Sequence, residues 1–374
     1  MSTATTPPIL MDEKPVSSFL TENPITSLLS SLSQSFHERR ATLGLSNPGT
    51  VENVSREVQK DVFLNNYMFT GMRADFSKSF SMDPIFQTSH SFAMGAQGIP
   101  PYTFAAIFGT NKTFLQANLD NEGQLAGRFN YRWSPELTSK FNIQLAPPSQ
   151  PSQSVFTMDT DYSGADFSAG IKAFNPSLLE GTLTGIFIGS YLQSVTPNLA
   201  LGIESVWQRS AASLGPETAL SYVARYATKE WIASAQLQAG GALQATYWRK
   251  IAERVEAGVD CQLTLAGGMA RDGGGGMMGG SMKKEGVTTL GAKYDFRMST
   301  FRAQVDTQGK LACMLEKRVA PAVTLTFVGD VDHFKNQAKL GISVSIESAT
   351  EAVQEMQEQA AVSGTGPTSP SVPF

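Results

Sequence analysis

The sequence predicts an all-β fold, a transmembrane β-barrel of about nineteen strands. Helices near the N-terminus are expected in or near its lumen, and a short helical tail after its last strand. Three observations carry this. Charged residues make up 17% of the 374 residues, below the roughly 25% usual in soluble domains. No run of ~18 apolar residues occurs, so no segment qualifies as a membrane helix. From about Tyr67 to Glu347 the apolar residues recur with a period of two, the period at which a pleated strand shows one face.

The elements follow in order. Residues 1–24, with Pro7, Pro8, Pro15 and Pro24, are rich in Ser, Thr and Pro and read as flexible. Residues 25–64 read as helical. Ile25, Leu28, Leu29, Leu32 and Phe36 recur at helical spacing up to the basic pair Arg39 and Arg40, and Leu43–Gly44 stops the run. A second helix is expected to start with Asn47 as its cap and Pro48 in its first position. Val51, Val54, Val58 and Val62 give it a narrow apolar stripe. Residues 65–348 read as the barrel and 349–374 as the tail. The N-terminal segment is expected to lie inside or beneath the pore.

Within the barrel zone the faces separate cleanly. Leu340, Ile342, Val344 and Ile346 oppose Lys339, Gly341, Ser343, Ser345 and Glu347. Ala257, Val259, Cys261, Leu263 and Leu265 oppose Glu256, Gly258, Asp260, Gln262 and Thr264. Ala165, Phe167, Ala169 and Ile171 oppose Asp166, Ser168, Gly170 and Lys172. Leu125, Phe129, Tyr131 and Trp133 oppose Arg128, Asn130 and Arg132. At roughly 15 residues per strand and turn, residues 66–347 give about nineteen strands. Lipid tolerates no open sheet edge, so such strands must close, leaving apolar groups to lipid and polar groups to a wet lumen. A soluble β-sandwich, with the apolar faces as its core, is the competing reading. The number of strands argues against it. So do the outward aromatics near strand ends, Tyr131, Trp133, Tyr191, Trp207, Tyr226 and Trp231, which suit interfacial girdles.

Other classes are less compatible. A net charge of −4 does not suit a nucleic-acid binder. Cys261 and Cys313 form no metal-ligand spacing, and two free thiols fit a reducing compartment. The N-terminus carries neither a secretory signal nor an Arg-rich transit peptide, which fits an outer-membrane or cytosolic address. His37, His90 and His333 match no catalytic triad and are expected on the surface or in the lumen. The glycine run Arg271–Ser281 lacks the Gly-Lys-Ser/Thr ending of a phosphate loop and reads as an inter-strand loop. No catalytic set, cofactor or metal site is expected.

The inward charges matter more. Asp159, Asp161, Asp166, Glu204, Glu256 and Asp260 are expected in the lumen with Arg128, Arg132, Lys140, Lys172, Arg225, Lys293, Arg297 and Lys339. The lumen is therefore mixed. Asp159, Asp161, Asp166 and Glu204 fall on nearby strands, where they either form a local acidic surface or pair with the basic groups.

Several stretches resemble one family closely. They are Leu45 to Glu52, Leu119 to Trp133, Gly170 through Asn175–Ser177 to Tyr191–Thr196 and Leu201–Glu204, and Gly291 to Gln304. The last strand, with Lys339, Gly341, Val344 and Ile346, is similar to the polar-x-Gly-x-x-hydrophobic-x-hydrophobic sorting signal of mitochondrial barrels, which voltage-dependent anion channels share. Over roughly residues 30–347 the chain resembles the channel-forming subunits of the mitochondrial outer-membrane protein translocase. The resemblance implies nineteen strands with the first and last paired in parallel, and an N-terminal segment threading the lumen. It implies a protein-conducting channel for unfolded precursor polypeptides in the mitochondrial outer membrane. The six acids would then line a path for basic presequences. Implied partners are a central single-span receptor, small single-span subunits, peripheral preprotein receptors, the lipid bilayer and one or two further copies of the barrel. No nucleic acid and no cofactor are implied. A metabolite or anion-selective porin of the same barrel family is the alternative. Within the sorting signal, Gly341 is expected to admit an assembly factor, and Val344 and Ile346 to face lipid.

Overall fold

A computed structural model describes residues 43–96, 98–147, 154–177, 183–210, 213, 215–266 and 283–349. Two compact units divide between Ser46 and Asn47. Of the first, the described part is the turn at Leu43–Gly44 and the two residues after it. The expected flexible segment 1–24, the helix up to residue 42, His37, the glycine run and the tail beyond Ala349 lie outside the described residues.

The second unit is one closed sheet of nineteen strands. In order they are β1 (Gly71–Met82), β2 (Ile85–Met94), β3 (Tyr102–Gly109), β4 (Thr113–Asp120), β5 (Leu125–Arg132), β6 (Leu137–Leu145), β7 (Val155–Ser163), β8 (Phe167–Ser177), β9 (Thr184–Ser194) and β10 (Leu199–Arg209). They continue as β11 (Glu217–Ala227), β12 (Trp231–Leu237), β13 (Ala242–Ala252), β14 (Val255–Ala266), β15 (Lys283–Asp295), β16 (Ser299–Asp306), β17 (Lys310–Ala320), β18 (Val323–Asp332) and β19 (Gln337–Ala349). Each pairs antiparallel with the next. An up-and-down chain with an odd number of strands ends in the direction in which it began. β19 therefore closes on β1 in parallel, with Gly71 beside Gly341 and Ser79 beside Ala349.

The pleat sorts the faces as the alternation predicts. Phe76, Phe92, Leu201, Leu290 and Ile342 are exposed on the outside, the surface that a bilayer covers. One rim has only short turns, from two residues at 83–84 to four at 133–136 and 195–198. Aromatic rings cluster on the outer face near it. Tyr131 and Trp133 lie 4.8 Å apart, Tyr226 and Trp231 5.0 Å, and Tyr294 and Phe296 4.3 Å. His90 stands on the outer face, its Nδ1 2.9 Å from the Tyr102 hydroxyl. His333 lies in the turn before β19.

Residues 47–69 run along the inner wall before β1 begins. The segment has two helical turns, Val51–Asn53 and Glu57–Val62. In the second, the Phe63 amide reaches back five residues to the Val58 carbonyl at 2.9 Å. That wider turn brings Val58, Val62 and Phe63 onto one face. The valine stripe predicted from spacing is buried at all four positions. The expected helix start is corrected. Asn47 does not cap a helix; its Oδ1 accepts from the Gly49 amide at 2.8 Å, and its Nδ2 donates to the Gly164 carbonyl at 2.7 Å. The side chain therefore closes a local turn and ties it to the β7–β8 turn, and the first helical turn begins only at Val51.

Candidate functional site: the lumen wall

The inner segment is held first by packing. Val51 and Val54 cluster with Leu192, Ala200 and Val223 of β9–β11. Val58, Val62 and Phe63 pack beside Trp248 of β13. Leu64 joins Ala312, Met314 and Val328 of β17 and β18. A valine moved from water into such contact contributes roughly 1.5–3 kcal/mol. Two inward glycines permit the approach. A Cβ on Gly258 would lie 3.2 Å from Val58, and one on Gly291 2.6 Å from the Phe63 ring.

Polar groups then fix the register. Arg225 donates to the Pro48 carbonyl at 3.1 Å and to the Glu57 carboxylate at 2.5 Å. Ser168 donates to the Gly49 carbonyl. Lys172 reaches Glu52 at 3.3 Å. The Gln304 side chain accepts from the Leu64 amide at 2.8 Å and donates to Asn65 at 3.1 Å. These partners all lie on strands between β8 and β19. The segment thus crosses from the short-turn rim, at Gly164, to the opposite rim, where Gly71 opens β1.

Beside this segment lies an acidic row. Asp161 of β7, Gly170 of β8, Ser190 of β9 and Glu204 of β10 stand opposite one another across the sheet. In the next row Asp159 stands between Lys140 and Lys172. Asp161 forms an ion pair with Lys140 at 2.7 Å, and Asp159 lies 4.0 Å from Lys172. Lys172 therefore sits between Asp159 on the wall and Glu52 on the inner segment. Four carboxylates (Glu52, Asp159, Asp161 and Glu204) share the two lysines 140 and 172.

The other expected acids are elsewhere. Asp166 is not on a strand; it lies in the turn between β7 and β8, because β8 begins only at Phe167. Asp260 on β14 is buried and receives hydrogen bonds from Gln244 at 3.3 Å and Gln262 at 3.1 Å. Glu256 stands between Lys250 and Lys293 across the sheet. The six acids thus make no single surface. Arg297 is likewise in a turn, between β15 and β16.

The last-strand motif divides as its alternation requires. Val344 and Ile346 share the outer face with exposed Ile342, while Gly341 is buried on the inside. A Cβ on Gly341 would lie 2.5 Å from the Phe69 carbonyl oxygen. In the folded barrel, the close approach at this glycine is made by the chain's own strand-entry segment.

Sequence reasoning missed Glu52, Glu57, Gln304 and the inward glycines 258 and 291 as parts of one site. The valine stripe announced a buried face. The polar residues of the same turns, read against the stripe, were the signal that the wall would be polar as well as apolar.

A closed barrel with an apolar exterior, a mixed-charge lumen and a parallel seam defines a membrane pore. The chain belongs to the eukaryotic porin family, whose model matches residues 47–341. Within it, the chain is 55% identical to the mitochondrial import receptor subunit tom40 of Neurospora crassa, over 91% of this chain and 95% of that protein. It is 45% identical to the TOM40 subunit of Saccharomyces cerevisiae, over 88% and 86%. It is 28% identical to the human TOM40 homolog, over 81% and 79%. Among solved structures, a mutant porin of Rh. blastica matches at a TM-score of 0.38 and 11% identity, over 65% of this chain and 90% of that one.

Proposed function

We propose that this barrel is the channel through which precursor polypeptides cross the mitochondrial outer membrane, and that it acts as a conduit and not as an enzyme. The observation that carries the reading is the likeness to the Neurospora import subunit over almost the whole of both chains. The lumen suits the task. Many inward side chains beyond the inner segment are polar, among them Gln116, Arg128 and Asn142, and a passing chain needs contacts weak enough to release.

The path for basic presequences runs over Asp159, Asp161 and Glu204, with Glu52 beside them. Asp166 extends it at the short-turn rim, and Glu256 and Asp260 form a separate station on β14. Single ion pairs at wet surfaces are worth about 0.2–1 kcal/mol, which suits transit. Residues 1–24 and the segment up to residue 42 help to hand over apolar precursors. Lys339, Gly341, Val344 and Ile346 act as the sorting signal.

The barrel works inside a translocase with a central single-span receptor, small single-span subunits, peripheral receptors and one or two further barrels. An outer groove of about 470 Å³ supports docking of a single-span helix. Tyr191, Leu201, Tyr222 and Leu237 line it, with Ala224 and Ala235 between them. Small residues between large ones allow a helix to approach closely in lipid.

The test is conductance of the reconstituted full-length protein. A basic amphipathic peptide added to one side should block the current, and the block should weaken as salt rises. The combination D159N, D161N and E204Q should weaken it further. A pore that passes small anions and ignores the peptide would establish the metabolite porin instead.

A further inference from the structure

The outer face carries a charge pattern of its own. Among the described residues, the charged side chains that the pleat sends outward from the strands are Lys78, Arg209, Arg249 and Lys317, and no carboxylate joins them. All four are basic and stand toward the ends of their strands, the depth at which a bilayer places its headgroups.

Their surroundings differ. Lys78 lies 5.3 Å from the centre of the Phe80 ring. Arg209 is already engaged within the chain. Lys317 stands between Ser299 and Leu325. Arg249 is exposed, and its side chain makes no hydrogen bond or ion pair among the described residues. Directly opposite it are Trp231 on β12 and Ala257 on β14. The next row holds Tyr226, Ala233 and Tyr247. Ala233 leaves space between the two tyrosines, and the Trp231 ring lies 5.0 Å from that of Tyr226 and 5.9 Å from that of Tyr247. The indole Nε1 and both phenol hydroxyls make no hydrogen bond among the described residues. In the two flanking turns, Lys229 and Arg254 are balanced by Glu230 and Glu253.

We infer that Arg249, with Trp231, Tyr226 and Tyr247, forms a site for the phosphate of an anionic phospholipid in the leaflet at the short-turn rim. The inference concerns the outer face and is independent of what passes through the lumen. A guanidinium grips a phosphodiester with two parallel N–H donors. Its aliphatic stem lies along the apolar wall while its head reaches the headgroups. Tryptophan and tyrosine add donors at the same depth and keep their rings in the acyl region. A zwitterionic choline lipid is the poorer occupant. Its ammonium needs an open aromatic face, but the indole is flanked by the two phenol rings, and Arg249 repels the cation. A free anion is poorer too, because a lipid is already held beside the site by its acyl chains.

The experiment places the full-length barrel in lipid nanodiscs and reads quenching of tryptophan fluorescence by lipids with brominated acyl chains. Each curve is recorded with and without Trp231→Phe, so that the difference reads Trp231. Brominated phosphatidylglycerol in phosphatidylcholine should reach half-quenching at a mole fraction about fivefold lower than brominated phosphatidylcholine does, the scale of one basic residue at an anionic surface. Added salt should narrow that gap. Arg249→Gln should close it, Arg249→Lys should keep most of it, and Lys317→Gln should leave it unchanged. Inorganic phosphate should not displace the anionic lipid.

The inference is overturned if the unaltered barrel shows no gap, a comparison that needs no Arg249 variant to fold. It also fails if Arg249→Gln keeps the gap. Equal narrowing by Lys317→Gln would make the preference a property of the barrel's overall charge and remove the site. Displacement by inorganic phosphate would assign the site to a soluble anion instead. None of these outcomes touches peptide block of the lumen, so the conduit reading is tested apart from them.

Discussion

The inner wall from β8 to β19 and the inner wall from β2 to β7 obey the same pleat, but their surfaces differ. Where the inner segment crosses, lumen positions hold Leu192, Val223, Gly258, Gly291, Ala312, Met314 and Val328, apolar or small. On the other side most corresponding positions are polar, among them Ser89, Ser91, Gln116, Arg128, Asn142 and Gln144, with Ile107 and Phe114 as apolar exceptions. The difference teaches that polar-inside is a rule about water, not about the inside. A lumen position covered by protein follows the rules of a core, and its neighbour two strands away follows those of a surface.

If so, substitutions should separate by wall. The outer face is common to both walls and sets the upper end of the scale. Val344→Asp with Ile346→Asp should cost about 2–4 kcal/mol for each charge placed near mid-bilayer, read as loss of assembled, heat-resistant barrel after import. Normal assembly would remove these residues from the lipid face.

On the covered wall, Phe63→Ala should cost about 3–5 kcal/mol of the segment's docking. Hydrogen exchange of residues 47–69 should rise by orders of magnitude while the strand amides stay protected. Equal loss of protection in the strands would mean that the segment is part of the barrel's own cooperative core.

Gly291→Ala and Gly341→Ala should each cost about 1–3 kcal/mol by overpacking. The close neighbours are the Phe63 ring in one case and the Phe69 carbonyl in the other. Gly341→Ala should therefore destabilise barrel already assembled, as judged by urea midpoint in lipid. A midpoint unchanged beside slowed assembly would return this glycine to a purely sorting role.

On the open wall, Gln116→Ala and Gln144→Ala should move stability by no more than ~0.5 kcal/mol, as surface substitutions do. A cost comparable to that of Gly291→Ala would erase the contrast between the walls.

The fold was largely legible. Period-two alternation identified the faces around Lys339–Glu347 and Glu256–Leu265, and it supplied a strand count of about nineteen. The site was legible only in part. Asp159, Asp161 and Glu204 could be assigned to the lumen from alternation, but pairing Asp161 with Lys140 requires the register between β6 and β7. The alternation placed Asp166 on a strand, but it lies in the turn before β8, because a period of two can run on through a turn that the backbone does not extend.

What the sequence determined alone is therefore what depends on neighbours in the chain. That includes which residues of a strand share a face, that the valines at 51, 54, 58 and 62 form one stripe, and that lipid must meet Val344 and Ile346. What only the tertiary structure decided is what those faces meet. Leu64 finds Gln304 across a separation of 240 positions, Arg225 finds Glu57 across 168, and Gly341 makes room for Phe69. Such pairs leave no periodic trace, because they are fixed by the closure of the sheet. Closure sets which strand lies beneath the returning chain, and with it which lumen positions stay wet.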